Sequence, residues 1–318
     1  RMADHTTNCV VDVGIYSCSL PVQRMIFSGR VEFGRYGGDM NKQTRRSFLA
    51  TCSTAGLAVT FPSRFYLQTS DKSGTRLPVV GSGTYSYECL HDWLVPPQGL
   101  VWGDTHGLCQ DEQGNIYVGH TVHKSSMRGE AIVVFDQKGG FIRAFGEGFR
   151  GGAHGLKLRR EGKAEFLYHC DINRCRVVKT TLTGEEIWVH SYPREDSNYG
   201  ERPIDFVPTN VAFAPNGDFY VADGYGSSYI LRYSLHGKFL GEVGKPGQGD
   251  GEFQTPHGLW IDHRGEMPLL TVADRGNKRI QTFTLDGTHL RTIKDEEHMR
   301  MFCNFHTQGE WMVCPDLD

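Results

Sequence analysis

No stretch of the 318 residues approaches the roughly 18 consecutive apolar positions of a membrane-spanning helix, so no membrane span is read. Neither sign of charge dominates: 34 Lys and Arg stand against 37 Asp and Glu, a formal net charge of −3. A surface built to neutralise nucleic-acid phosphates needs a basic excess, so no nucleic-acid partner is expected. None of the nine cysteines stands in a CxxC spacing, and cysteine usage points to no metal or redox motif. Cys170 and Cys175 can pair across a turn or remain buried thiols; the sequence leaves both open. Thirteen prolines are too few for a collagen-like or low-complexity chain.

Glycine is what the chain has in excess. Its 39 residues are about 12% of the chain, against an average near 7%. With 38% hydrophobic and 11% aromatic residues there is enough apolar material for a core. Glycine excess beside aromatic and β-branched residues leans toward a turn-rich β protein.

The first 80 residues read differently from the rest. Up to Asp39 neither a period of 2 nor one of 3.6 is sustained, and residues 1–39 read as a doubtful extension. Met40 opens a basic stretch, Asn41-Lys42-Gln43-Thr44-Arg45-Arg46-Ser47-Phe48-Leu49-Ala50, followed by the small apolar run Ala55-Gly56-Leu57-Ala58-Val59. The arginine pair with Ser-Phe-Leu in register resembles a bacterial twin-arginine export signal, which implies a periplasmic or exported protein. Residues 40–80 are therefore read as signal and linker, and 81–318 as the folded domain.

From about residue 100 the chain repeats itself. Thr105-His106-Gly107-Leu108, Ala153-His154-Gly155-Leu156, Pro208-Thr209-Asn210-Val211 and Pro256-His257-Gly258-Leu259 recur with steps of 48, 56 and 47 residues, read from positions 106, 154, 210 and 257. After each comes a turn and a β-rich run, such as Gly114-Asn115-Ile116-Tyr117-Val118 or Gly217-Asp218-Phe219-Tyr220-Val221. Two further strands follow, as in Ala131–Asp136 and Phe141–Gly146. Four short strands per repeat are the pattern of a β-propeller blade.

Antiparallel alternation puts the start of each first strand and the end of each second strand on one rim. That rim collects His106, His154, Asn210 and His257 from strand starts. From strand ends it collects His120, His169, Asp171, Asp223, Tyr225, Asp274 and Arg275. Imidazoles approaching an axis from separate blades can bind zinc through neutral nitrogens. Each can equally cap a turn by bonding to neighbouring backbone.

Val272-Ala273-Asp274-Arg275-Gly276-Asn277-Lys278-Arg279-Ile280-Gln281 is close to the NHL-repeat consensus, and the resemblance covers residues 98–318. It implies an all-β, six-bladed-type propeller. Residues 98–318 supply about four and a half blades, so the propeller is expected to be incomplete at its C-terminus; a compact four- or five-bladed ring is the alternative. Residues 84–95 offer the strand by which propellers fasten their last blade.

The ordered set His154-Gly155-Leu156, Asp223-Gly224-Tyr225, Pro256-His257-Gly258-Leu259 and Ala273-Asp274-Arg275 further resembles peptidyl-α-hydroxyglycine α-amidating lyase. That family splits a peptidyl hydroxyglycine into an amide and glyoxylate. The resemblance implies zinc as cofactor, held by His154 and His257, with His106 as an extra candidate ligand, and a structural calcium besides. The family's third zinc ligand lies in a Pro-His-Asp motif that this sequence does not contain. Tyr225 falls on the catalytic tyrosine, and His120, Asp223, Asp274 and Arg275 are expected to face the substrate. The family's arginine after the first-blade histidine is replaced by Thr121, with Lys124 and Arg128 nearby but out of register. A small-molecule or peptide substrate and a monomeric state are implied. The alternative function is a non-enzymatic propeller that binds a peptide or glycan on the same histidine-rich rim.

Overall fold

The computed structural model describes residues 14–16, 23–26, 79–82, 85–90, 93–193, 206–297 and 299–316. Met40 through Leu49, on which the export reading rests, lies outside the described residues. Among them the architecture is all-β, with only short 3-10 turns such as Glu147–Phe149 and Arg275–Asn277 beside the strands. Among the described residues no helix is long and apolar enough to cross a membrane.

The repeat folds as the period predicts. The first blade is built from Thr105–Gln110, Ile116–His120, Ile132–Phe135 and Phe141–Phe145. The second uses Ala153–Glu161, Ala164–Asp171, Arg176–Thr180 and Glu186–His190. The third uses Asn210–Phe213, Phe219–Ala222, Ile230–Tyr233 and Phe239–Val243. The fourth uses Pro256–Asp262, Leu269–Asp274, Arg279–Phe283 and His289–Ile293. Each is a four-stranded antiparallel meander in chain order. A fifth sheet holds two strands, His306–Gln308 and Trp311–Val313.

The core lies between blades. Tyr220, Ala222, Leu259 and Val272 pack the third blade on the fourth, while Tyr168, Val177, Val211 and Phe219 pack the second on the third. On the outer side of the first blade the segment Trp93–Trp102 supplies Leu94 and Leu100 against Val118 and Val133. Second and third strands are buried along their length, whereas the fourth strands alternate toward solvent, as in Phe141–Phe145 and Glu186–His190. That gradient is why the inner strands read as continuous apolar runs.

The glycine after each motif histidine has a steric cause. A Cβ on Gly258 would stand 2.5 Å from the carbonyl oxygen of Cys303 and 2.7 Å from Cα of Asn304. Innermost strands of neighbouring blades meet backbone to backbone there, and no larger residue fits.

Tyr85–Leu90 pairs with Val79–Ser82 and, in parallel, with Gln23–Ile26, which in turn pairs with Gly14–Tyr16. The segment around Tyr85 thus joins a separate four-stranded sheet rather than completing the fifth one. Hydrogen-bond partners were supplied by short runs in the first 26 residues that show no sustained period.

Candidate functional site

The first-strand positions of successive blades converge at the axis. His154 and His257 come from the second and fourth blades, yet their ring centroids are 4.9 Å apart. Each uses Nδ1 in the same way: His154 bonds the carbonyl of Thr209 at 2.8 Å, and His257 bonds the carbonyl of Cys303 at 2.8 Å. A carbonyl only accepts, so Nδ1 carries the proton and Nε2 keeps its lone pair. The two carbonyls belong to the residues just before Asn210 and Asn304, the corresponding positions of the next blades. The fold itself therefore sets the tautomer.

Both bare Nε2 atoms face the Tyr225 hydroxyl, at 3.3 Å from His154 and 3.0 Å from His257. Tyr225 sits in the loop after the second strand of the third blade. Gly224 brings that loop across, since a Cβ there would lie 2.5 Å from the Pro256 carbonyl oxygen. Tyr225 is 39% exposed, and its hydroxyl is turned toward the two buried imidazoles. The Arg275 guanidinium stands 5.2 Å from the ring centroid. One hydroxyl has one proton to give, so one of the two imidazole lone pairs is left without a donor. Two neutral nitrogens directed at one point supply part of the three- or four-donor set that zinc takes.

Electrostatics keep these imidazoles neutral. Burial first, then Arg275, pushes His257 down to about 3. Burial, followed by the neighbouring His106 and His257, holds His154 well below the ordinary histidine value. His106 is pushed down to about 4, mainly by burial and secondarily by Arg275. Burial raises the Tyr225 phenol, and Arg275 opposes that rise.

Of the expected ligands the structure brings together two. His106 stacks on His154 with centroids 4.2 Å apart and planes 21° from parallel. Lone pairs lie in the ring plane, so stacked rings direct them side by side rather than to one point. Nδ1 of His106 is buried without a hydrogen-bond partner. Among the described residues no three His, Cys, Asp or Glu side chains converge as a metal-holding group. The equivalent positions of the third and fifth sheets are Asn210 and Asn304, joined by a 3.1 Å hydrogen bond. Asn304 was not among the expected site residues; its spacing of 47 from His257 is the signal that marks it.

Three residues expected to face a substrate are instead structural latches. His120, Asp223 and Asp274 occupy the same repeat position and are all 0% exposed. His120 Nδ1 accepts the backbone N–H of Gly103 at 3.1 Å, Asp223 that of Val207 at 2.6 Å, and Asp274 that of Gln254 at 2.8 Å. Gly103, Val207 and Gln254 each stand three residues before His106, Asn210 and His257. The acceptor thus ties the segment entering a blade to the end of its second strand, satisfying an otherwise buried donor. The second Asp274 oxygen is taken by Arg279 at 2.7 Å, Asn277 at 2.8 Å and Gln281 at 3.0 Å. Of the expected rim only Arg275 remains beside Tyr225. His169 is inside too, stacked on Phe149 at 4.5 Å and bonded to Thr180. Arg128, near the missing arginine, is paired with Glu130, and Cys170 and Cys175 are free thiols.

Comparison with known proteins agrees with this architecture. A family model described as a 6-bladed beta-propeller matches residues 208–312. A probable peptidyl-alpha-hydroxyglycine alpha-amidating lyase of Caenorhabditis elegans is 30% identical over 158 residues, covering 49% of this chain and 43% of that protein. NHL repeat-containing protein 3 of Homo sapiens is 28% identical over 205 residues, covering 61% of this chain and 55% of that protein. The chain thus spans about half the length of these relatives. A crystal structure of a nidogen/laminin complex matches with a TM-score of 0.51 at 15% identity, covering 67% of this chain and 72% of that one, a likeness of fold alone. The chain is a β-propeller similar in sequence to the peptidyl-α-hydroxyglycine α-amidating lyases and to NHL-repeat proteins.

Proposed function

We propose that the chain is a lyase-like propeller that cleaves the N–Cα bond of an α-hydroxyglycine amide, giving an amide and glyoxylate. The observation that carries the reading is the Tyr225 hydroxyl held between the unprotonated Nε2 atoms of His154 and His257, with Arg275 against its ring. His154 and His257 are the residues that would hold zinc; zinc supplies the positive field that polarises a substrate hydroxyl and favours a phenolate. Tyr225, as phenolate, takes the proton of the substrate hydroxyl. As the carbonyl of glyoxylate forms, the C–N bond breaks with its electron pair on nitrogen, and Tyr225 returns the proton there. Arg275 favours the phenolate through its charge. The carbonyls of Thr209 and Cys303 keep both imidazoles in the tautomer that leaves Nε2 free. The export signal around Arg45 and Arg46 makes the protein a periplasmic or secreted one, acting as a monomer on a peptide or small-molecule substrate, and a structural calcium belongs to the same reading.

Zinc content of the purified full chain tests the site. About one equivalent in the wild type and a large loss in His154→Ala and His257→Ala support the reading. A wild type without zinc after incubation with it, or unchanged zinc in both variants, would sink it.

A second reading has its own support. Thr121 stands where the lyases carry an arginine, His120 is committed to a latch, and propellers host many binding functions. On this reading the rim binds a peptide or glycan without chemistry. Peptide binding that survives both histidine substitutions, with no turnover, favours it.

A further inference from the structure

A second cluster lies further along the innermost strands, and the imidazole site does not use it. Lys157 stands three residues beyond His154 on the innermost strand of the second blade. Its ammonium is 5.6 Å from the ring centroid of Trp260, on the innermost strand of the fourth blade. Its charge also acts on Cys109 of the first blade, Cys170 of its own blade and His306 of the fifth sheet. Lys157 and Trp260 thus bring the innermost strands of the second and fourth blades together at this point.

Its surroundings offer it no counter-charge. Among the described residues Lys157 forms no ion pair with a carboxylate, and its ammonium rests on the Trp260 ring. The indole Nε1 of Trp260 is buried and has no hydrogen-bond partner. His306 packs on the same indole, centroids 5.5 Å apart. Lys157 and Trp260 are each half-buried, and the buried Trp260 N–H near the ammonium has no acceptor, a shortage that native structures avoid for a buried donor unless something else completes it. We infer that Lys157 and Trp260 form an anion site that takes the carboxylate of a small organic acid, with Lys157 as counter-ion and the Trp260 N–H as directional donor. One ammonium matches one negative charge. The site lies further along the inner strands than the Tyr225 hydroxyl, and the inference does not depend on the lyase reading.

The test uses the full chain labelled with ¹⁵N. Its five tryptophans give separate indole N–H signals, and Trp260→Phe identifies the one of interest. Acetate is titrated in, with chloride at equal ionic strength as control. The Trp260 signal should shift saturably with acetate and not with chloride, and Lys157→Met should weaken binding roughly ten-fold or more. A Trp260 signal that ignores acetate, or follows chloride equally, overturns the site. So does Lys157→Met binding acetate as tightly as the wild type. Lys157→Gln replaces Lys157→Met if the latter loses the dispersed spectrum of the folded chain, and the wild-type titration stands on its own.

Discussion

Tyr225 is the residue on which the proposed chemistry turns, and its behaviour follows from three neighbours. Burial raises its phenol while Arg275 opposes the rise. Removing the guanidinium in Arg275→Met should therefore push the phenol higher. The alkaline shift of any Tyr225-dependent rate, read from a pH profile of kcat, should move upward in that variant; an unmoved profile would separate Arg275 from Tyr225. At this scale the sequence was readable in part. His154, His257 and Tyr225 were visible because they stand in family order at repeat positions. The latching role of His120, Asp223 and Asp274 was not, since their partners are backbone N–H groups and residue type alone does not show which acceptor a buried donor finds. Aligning the repeats would have placed His120 on the aspartate column, and that was the available signal.

Among the elements, the inner strands and their latches decide whether the site exists. Gly258→Ala would drive a Cβ into the Cys303 carbonyl, the same carbonyl that holds His257 Nδ1. Overpacking of this kind costs about 1–3 kcal/mol, and a fall of that size in urea unfolding, with reduced zinc uptake, is the expected outcome. Asp274 is fully buried and shared by Arg279, whose side chain is only 9% exposed. Asp274→Ala strands that guanidinium and one backbone donor, so a loss of about 3–5 kcal/mol is expected. Denaturant midpoints check both, and unchanged stability in Asp274→Ala would refute the latch. Blade strands were legible because their apolar runs recur every 48 or so residues. The pairing of Tyr85–Leu90 with strands from the first 26 residues was not, because strand pairing depends on tertiary context more than on local pattern.

For the molecule as a whole, the buried histidines link stability to pH. His120 is held at about 4, His169 and His257 at about 3, and His154 also well below the ordinary value, each mainly by burial. In the unfolded chain they titrate near 6.5. Below that pH the unfolded state takes up protons that the native state refuses. Stability is therefore complete above about 6.5 and declines as pH falls toward the native values, by about 1.4 kcal/mol per pH unit for each such histidine. Urea midpoints should drop steeply between pH 7 and pH 5, and a flat profile would mean these histidines charge within the fold.

The proposed lyase centre is Tyr225 held between His154 and His257. Its decisive test is glyoxylate release from a peptidyl-α-hydroxyglycine by zinc-supplied, folded full-length chain, compared with Tyr225→Phe. Release by the wild type and a loss of roughly 100-fold or more in the variant, the usual weight of a general base, are expected. No release by the wild type, or equal release by both, would contradict the proposal.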